Sequence, residues 1–166
     1  SMDEQPFLVL IQEHQGIIHK ICRLYRDSKE DREDLFQEVT YQLWKSFSSF
    51  KGEAKVSTWM YRIALNTAIA SFRKKRLDVE YHPVLPDLPD DEVDEEYANR
   101  QESLFATLKQ LNESERAIVA LYLDDLSYRQ IAEIIGINEN NVGVKLNRIK
   151  LKIQKLSRSA LPVGRE

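Results

Sequence analysis

The sequence predicts an all-α protein made of two small helical domains joined by an acidic, extended linker. Three observations predict it. Apolar residues recur every three to four positions along most of the chain, which is the period of a helix and not the alternation of a strand. Five glycines and five prolines in 166 residues are few for a turn-rich β protein. The composition also breaks sharply once: from Leu77 to Asn99 there is no Lys or Arg, but there are nine acids.

The first helix carries Phe7, Leu10, Ile11, Ile17, Ile18, Ile21 and Tyr25 on one stripe, with Gly16 as a weak point inside it. Asp31 is expected to cap a second helix, whose first turn holds Glu33 and Asp34 and whose stripe is Leu35, Phe36, Val39, Leu43 and Phe47. The period fails from Ser48 to Val56, which reads as a loop. Ser57 or Thr58 then caps a third helix to about Arg76. Pro83, Pro86 and Pro89 follow, then the acid run. Prolines remove backbone donors and like charges repel, so residues 77–97 read as linker, with domains at 1–76 and 98–166.

Helical periodicity resumes near Ala98 with Leu104, Leu108 and Leu111. Asn112 and Glu115 have capping-box spacing ahead of a helix to Leu123, and Ser127 and Gln130 repeat it ahead of a short helix to Ile135. Gly136 is placed to end that helix in the left-handed conformation. Asn138 caps the last helix, from Glu139 to about Leu156.

The net charge of -3 hides a segregation. Acids crowd the linker, whereas Asn140 to Gly164 has none and carries Lys145, Arg148, Lys150, Lys152, Lys155 and Arg158. An acidic whole with one basic end is poorly suited to tight, unaided DNA binding, because phosphates repel the remainder. A single cysteine, Cys22, excludes an internal disulfide framework. No apolar run is long enough to span a membrane and no secretory pattern appears, so direct membrane insertion is not expected and a reducing cytoplasm is. The opening Ser1-Met2 reads as a tag scar.

A short helix, a three-residue turn at Gly136-Ile137-Asn138 and a longer basic helix form the arrangement that lodges a second helix in the major groove. On that last helix Val142, Leu146, Ile149, Ile153 and Leu156 fall on a narrow apolar stripe. Asn141, Lys145, Arg148, Lys152 and Lys155 fall on a neighbouring face. Asn141 and Lys145, near the helix start, are the candidate base contacts; Arg148 and Lys152 are the candidate phosphate contacts. An ordinary solvated basic face is the competing explanation, and the capped pair of helices ahead of it weighs against that.

The third helix places Tyr61, Ala64, Leu65, Ala68 and Phe72 on its apolar face, with Trp59, Arg62, Asn66, Thr67, Ala70, Arg73 and Lys74 opposite. Phe50 and Trp59 bracket a loop with Lys51, Gly52 and Lys55. Cations beside aromatics can take up unstacked bases. Phe50 and Trp59 equally suit a core, and Arg73 to Arg76 equally suit compensation of the helix dipole.

Two blocks of residues resemble a known family. Asp31-Arg32-Glu33-Asp34-Leu35-Phe36-Gln37-Glu38-Val39, Leu43-Trp44, Phe50-Lys51-Gly52 and Ser57 to Thr67 resemble region 2 of extracytoplasmic-function sigma factors. Leu111 to Arg116 and Leu126 to Gly136 resemble their region 4. The order and spacing match over nearly the whole chain. The resemblance implies that Asp34, Glu38 and Trp44 dock on core RNA polymerase. It implies that the loop from Phe50 and the helix after it, with Lys51, Lys55, Trp59, Arg62, Asn66, Arg73 and Lys74, recognise and melt the minus-ten element of promoter DNA. The last helix would read the minus-thirty-five element, the acidic linker would thread a cleft meant for nucleic acid, and an anti-sigma factor would be a further partner. Asn140 to Val144 departs from the commoner residues of this helix start. Gly143 costs about 1 kcal/mol of helix propensity against Ala, so it is expected to mark a close backbone approach.

Two other function classes compete. An autonomous helix-turn-helix regulator would bind a palindromic duplex alone and would have no need of the Phe50 to Trp59 loop. An enzyme is not expected: Glu33, Asp34 and Glu38 lack a nearby His or metal-site spacing, and no phosphate loop or nucleophile motif appears. No cofactor, metal or small-molecule substrate is therefore expected. His14 and His19 lie about 140° apart on a helix, which does not suit a shared metal.

Overall fold

The computed structural model describes residues 4–78 and 95–160. The three linker prolines and most of the acid run lie outside the described residues. The chain divides into two compact units, Ser1–Val93 and Asp94–Glu166. Among the described residues every regular element is a helix.

The first unit packs α1 (Glu4–Tyr25), α2 (Lys29–Phe47) and α3 (Val56–Asp78), each against the other two. Its centre is Ile18, Leu24, Leu35, Val39, Leu43 and Met60, all fully or almost fully buried. Ala64 and Ala68 are completely buried on α3, and their small side chains let the neighbouring helices approach. Ser28, not Asp31, caps α2, its hydroxyl accepting from the Asp31 N–H at 3.1 Å. Asp31 instead sits in the first turn, where its carboxylate meets Lys75 Nζ at 3.2 Å; with both ends well exposed, that pair contributes little. α3 likewise begins earlier than either expected cap, since the Trp59 N–H already donates to the Lys55 carbonyl. Thr58 is therefore a buried helical residue. Three residues placed in the linker from sequence are helical at the far side too, as α4 begins at Glu95.

Two arginines hold the first unit's ends together. Arg26 is buried just past α1 and donates through Nη2 to Ser71 Oγ of α3. Burial lowers its pKa, while Asp31 and neighbouring anions resist that shift. Arg32 reaches back from α2 to the carbonyls of Arg26 and Asp27, both at 3.2 Å, and so satisfies acceptors at the end of α1. Beside them Cys22 is buried, and burial pushes its thiol up to about 11.

The second unit packs α5 (Glu113–Leu123), α6 (Tyr128–Ile135) and α7 (Glu139–Ala160) around Ile118, Leu121, Ile131, Val142, Leu146 and Ile149. α4 (Glu95–Leu108) precedes them and buries Leu108, while Leu104, expected on the same stripe, is 40% exposed. Both capping boxes form: Asn112 Oδ1 accepts from the Glu115 N–H at 2.8 Å, and Ser127 Oγ from the Gln130 N–H at 3.1 Å. Arg116, itself buried, donates to the carbonyls of Leu111 and Lys109 and pins the α4–α5 connection. Asp125 turns the chain into α6 with φ 63, a conformation Asp tolerates better than most residues. Gly136 ends α6 at φ 84, and its N–H donates to the Ala132 carbonyl.

The two glycines of the helix-turn-helix act differently. A Cβ at Gly136 would meet nothing within 4 Å, so the requirement there is purely conformational. A Cβ at Gly143 would lie 3.5 Å from the Tyr128 ring, an ordinary contact, so no close approach within the protein demands glycine. Gly136→Ala should therefore destabilise the second unit by about 1–2 kcal/mol. Gly143→Ala should stabilise it by about 1 kcal/mol through helix propensity. Urea unfolding of the two variants followed by circular dichroism checks this; equal effects of the same sign would contradict it.

Candidate nucleic-acid interface

α7 divides into two faces as its periodicity requires. Val142, Leu146 and Ile149 are buried against α5 and α6, and Ile153 and Leu156 continue the stripe half-buried. Asn141, Lys145, Arg148, Lys152 and Lys155 are all exposed. The start of the helix is fixed by Asn138, whose Oδ1 accepts from the Asn141 N–H at 2.8 Å. The side chain of Asn141 thus leaves a capped first turn.

Lys152 has a partner within the protein. Its Nζ lies 2.9 Å from Oε1 of Glu115, the carboxylate oxygen that also accepts from the Asn112 N–H in the α5 capping box. Burial pushes the Glu115 carboxyl up, but hydrogen bonds from Lys152 and Asn112 and the charges of Lys152 and Lys145 outweigh it. The group is held below its ordinary value. Sequence spacing gave no sign of this tether, since Glu115 and Lys152 are 37 positions apart. On the next side of α7, Lys150 stacks its ammonium over the Tyr122 ring at 4.7 Å.

In the first unit Arg62, Asn66 and Arg73 share one ridge of α3, within about 40° of one another around the helix. Asn66 and Arg73 are exposed and Arg62 is half-buried; Lys74 is exposed on the adjoining side. Lys51 and Lys55 are exposed in the loop, where Gly52 adopts φ 71. Trp59 departs from the expected face. It is 8% exposed and packs its ring on Phe50 at 4.8 Å and towards Phe47 at 6.4 Å. The period alone set it beside Arg62, but the aromatic rings at the end of α2 and in the loop cover it. Phe50 is half-buried and is the ring of that pair that reaches solvent.

Trp44 lies elsewhere, in an open groove of about 590 Å³ between α1 and α2. Phe7, Leu8, Phe36, Thr40 and Tyr41 line it with Trp44. Trp44 is 40% and Tyr41 55% exposed. Asp34 and Glu38 are exposed on the same outer side of α2, spaced with Tyr41 so that the three neighbour one another. The groove is mostly apolar, with Glu4 and Gln37 completing its lining. Tyr41 and Leu8 went unnoticed in sequence because neither lies on its helix's core stripe; an aromatic off the stripe was the available signal. His19 stacks on Phe36 at 4.6 Å, and among the described residues no group of three His, Cys, Asp or Glu could hold a metal. No helix of the described residues is long and apolar enough to cross a membrane.

Comparison with known proteins gives one consistent result. Residues 10–77 match the family model for Sigma-70 region 2, and residues 101–153 match that for Sigma-70 region 4. The chain is 30% identical to an ECF RNA polymerase sigma-E factor of Haemophilus influenzae, over 93% of this chain and 90% of that one. It is 29% identical to the ECF RNA polymerase sigma factor SigW of Bacillus subtilis, over 92% and 89%. Among solved structures it resembles the sigma factor RpoE of Bartonella quintana, crystallised with the anti-sigma factor NepR. There the TM-score is 0.68 at 19% identity, covering 98% of each chain, a likeness of fold.

Lys152→Ala should raise the titration midpoint of Glu115 towards its ordinary value, read by carboxyl carbon shifts across an acid pH series. Because the folded value is lowered, Glu115 stabilises the unit above the ordinary carboxylate range, and that contribution is lost as pH falls through the lowered value. An unchanged midpoint in the variant would show that the tether does not persist in solution.

Proposed function

This chain belongs to the sigma-70 family as an extracytoplasmic-function sigma factor, and from that membership we propose how it divides promoter recognition between its two units. It binds core RNA polymerase and directs promoter-specific transcription initiation. The observation that carries the reading is the presence of regions 2 and 4, in that order, on one chain. A lone helix-turn-helix would not carry it. The family consists of transcription regulators, and we take this member to be a specificity subunit with no catalytic activity or cofactor of its own.

The domains follow the notional boundaries of 1–76 and 98–166, adjusted to the helix ends at Asp78 and Glu95. In the first, the groove with Trp44 and the exposed carboxylates of Asp34 and Glu38, neighbours of Tyr41 on α2, receive the polymerase. An apolar trough with carboxylates on the same helix favours a helical partner with basic residues. On the same domain, Phe50, Lys51 and Lys55 of the loop take the displaced minus-ten strand. Arg62, Asn66, Arg73 and Lys74 track its backbone and bases along α3. Trp59 serves that site indirectly, as the support on which Phe50 rests. In the second domain, Asn141 and Lys145 read base edges of the minus-thirty-five element, and Arg148 and Lys152 engage phosphates.

Neither reader needs high affinity alone. Both are carried on one platform, so the second contact is made at high effective concentration once the first has formed. That fits a protein of net charge -3 whose residues 140–164 are basic and free of acids. The solved neighbour from Bartonella is held by an anti-sigma factor, and we extend a partner of that kind to this chain. We place it in the cytoplasm, where polymerase is.

Run-off transcription with purified core polymerase over a genomic fragment library tests the function. Specific initiation is expected only when both components are present. Tight, site-specific duplex binding by the free protein, with no effect of polymerase, would favour the autonomous regulator instead. On a recovered promoter that needs its upstream element, Lys145→Ala with Arg148→Ala should reduce initiation roughly tenfold. Phe50→Ala with Lys55→Ala should leave holoenzyme assembly intact and reduce permanganate reactivity of thymines at the minus-ten element. Normal melting by that variant would remove the loop from the mechanism.

A further inference from the structure

The outward side of α7 carries two apolar residues that packing does not account for, Val144 and Leu151, and the first stands beside the polar face. At about 100° per residue, Val144 stands roughly 170° from the mean direction of the buried Val142, Leu146 and Ile149. It is 42% exposed. Asn141 is one turn before it, Lys145 beside it and Arg148 one turn after it, all exposed. A β-branched apolar group therefore lies at the edge of the face made of amide and cationic heads, about 60° from Asn141 and 40° from Arg148 around the helix. Scattered exposed valines are ordinary on protein surfaces. This one is distinguished by its place: it projects from the second turn of a helix whose first turn is fixed by the Asn138 cap. Its predecessor, Gly143, has no side chain, and the Tyr128 ring is laid against that position.

The major groove presents donors, acceptors and one apolar group, the C5 methyl of thymine. Asparagine reads adenine there through N6 and N7. Val144 follows Asn141 by three residues, about 4.5 Å along the helix axis, on the order of the 3.4 Å rise of one base pair. We propose that Val144 is a specificity-determining residue that packs on the C5 methyl of a thymine in the upstream promoter element, next to the base pair read by Asn141. The element is then biased to adjacent adenine·thymine pairs at the place where α7 enters the groove. This rests on the reading of α7 as the major-groove helix, and it adds to that reading a residue that charge patterning could not reveal.

The competing use of the valine is a protein contact. Leu151, 60% exposed and seven residues on, lies on the same edge of α7, and the two could form an apolar strip for a partner. The two uses respond differently to a change made only in the DNA.

The experiment assembles the full chain with core polymerase and selects promoter fragments randomised over the upstream element. Each thymine of the enriched sequence is then replaced singly by deoxyuridine, which removes the methyl group and nothing else. Wild-type and Val144→Ala holoenzymes compete for each fragment. The expected result is one position at which deoxyuridine weakens wild-type binding about fourfold, the effect of one methyl group leaving an apolar contact. At that position the variant should be indifferent, and the neighbouring pair should be the one whose preference Asn141→Ala relaxes. The proposal is overturned if no thymine behaves this way while Asn141→Ala still relaxes specificity, which leaves the α7 reading intact. It is also overturned if Val144→Ala impairs assembly with polymerase and leaves the methyl response unchanged, which assigns the valine to a protein contact. Enrichment of no upstream sequence at all would overturn both this proposal and the reading beneath it.

Discussion

A chain of aromatic contacts holds the N-terminal domain in its working shape. Phe7 of α1 meets Trp44 and Phe47 of α2 at 5.0 and 5.3 Å, Phe47 lies 6.4 Å from Trp59 of α3, and Trp59 carries Phe50 of the loop at 4.8 Å. Each such pair contributes about 0.5–1.5 kcal/mol beyond the area it buries. The loop between α2 and α3 has no regular structure to place it, and the Phe50–Trp59 pair does so instead. At the two ends of the series, Trp44 is exposed and Phe50 half-buried. The packing that closes the three helices thus also presents an aromatic surface at the proposed polymerase groove and another at the proposed strand-binding loop.

The C-terminal domain depends more on the ends of its helices than on the size of its core. An eight-residue helix such as α6 would not persist alone. Here its first turn is closed by the Ser127–Gln130 box and its last by Gly136, while Ile131 and Ile134 anchor it. The buried guanidinium of Arg116 does the same for the turn before α5. These devices use inward-facing and terminal positions. The exposed positions of α7 take little part in them, apart from the Lys152–Glu115 pair and the Lys150–Tyr122 contact.

What was legible in the sequence follows from how local each feature is. Capping boxes, the left-handed glycine and the stripe of α7 involve residues within a turn or two, and all were found in place. For α2, Ser28 and Asp31 are both competent caps three residues apart, and only the path of the chain from α1 selects the first. Rings from α2 and the loop bury Trp59, and periodicity within α3 carries no information about them. The groove required two helices to be set side by side, so Tyr41 and Leu8 had no meaning in isolation. Arg26 and Arg116 were unreadable for a related reason: arginine is ordinarily a surface residue, and their carbonyl and hydroxyl partners are recognised only once the chain has turned back. The roles of individual site residues remain a matter of chemistry at exposed positions, where folding constrains the residue least.

The pairing of Lys152 with Glu115 changes how the cations of α7 should be counted. A lysine that exchanges a carboxylate for a phosphate gains one partner and leaves one anion exposed beside the DNA. Its net neutralisation of the duplex is close to zero. The number of condensed ions released on binding, which sets how steeply affinity falls with salt, would then be smaller by about one than a count of phosphate contacts suggests. Glu115 belongs to the capping box that starts α5, so on the proposed phosphate contact by Lys152 the stability of one helix and the salt dependence of another's DNA binding would be set by the same carboxylate.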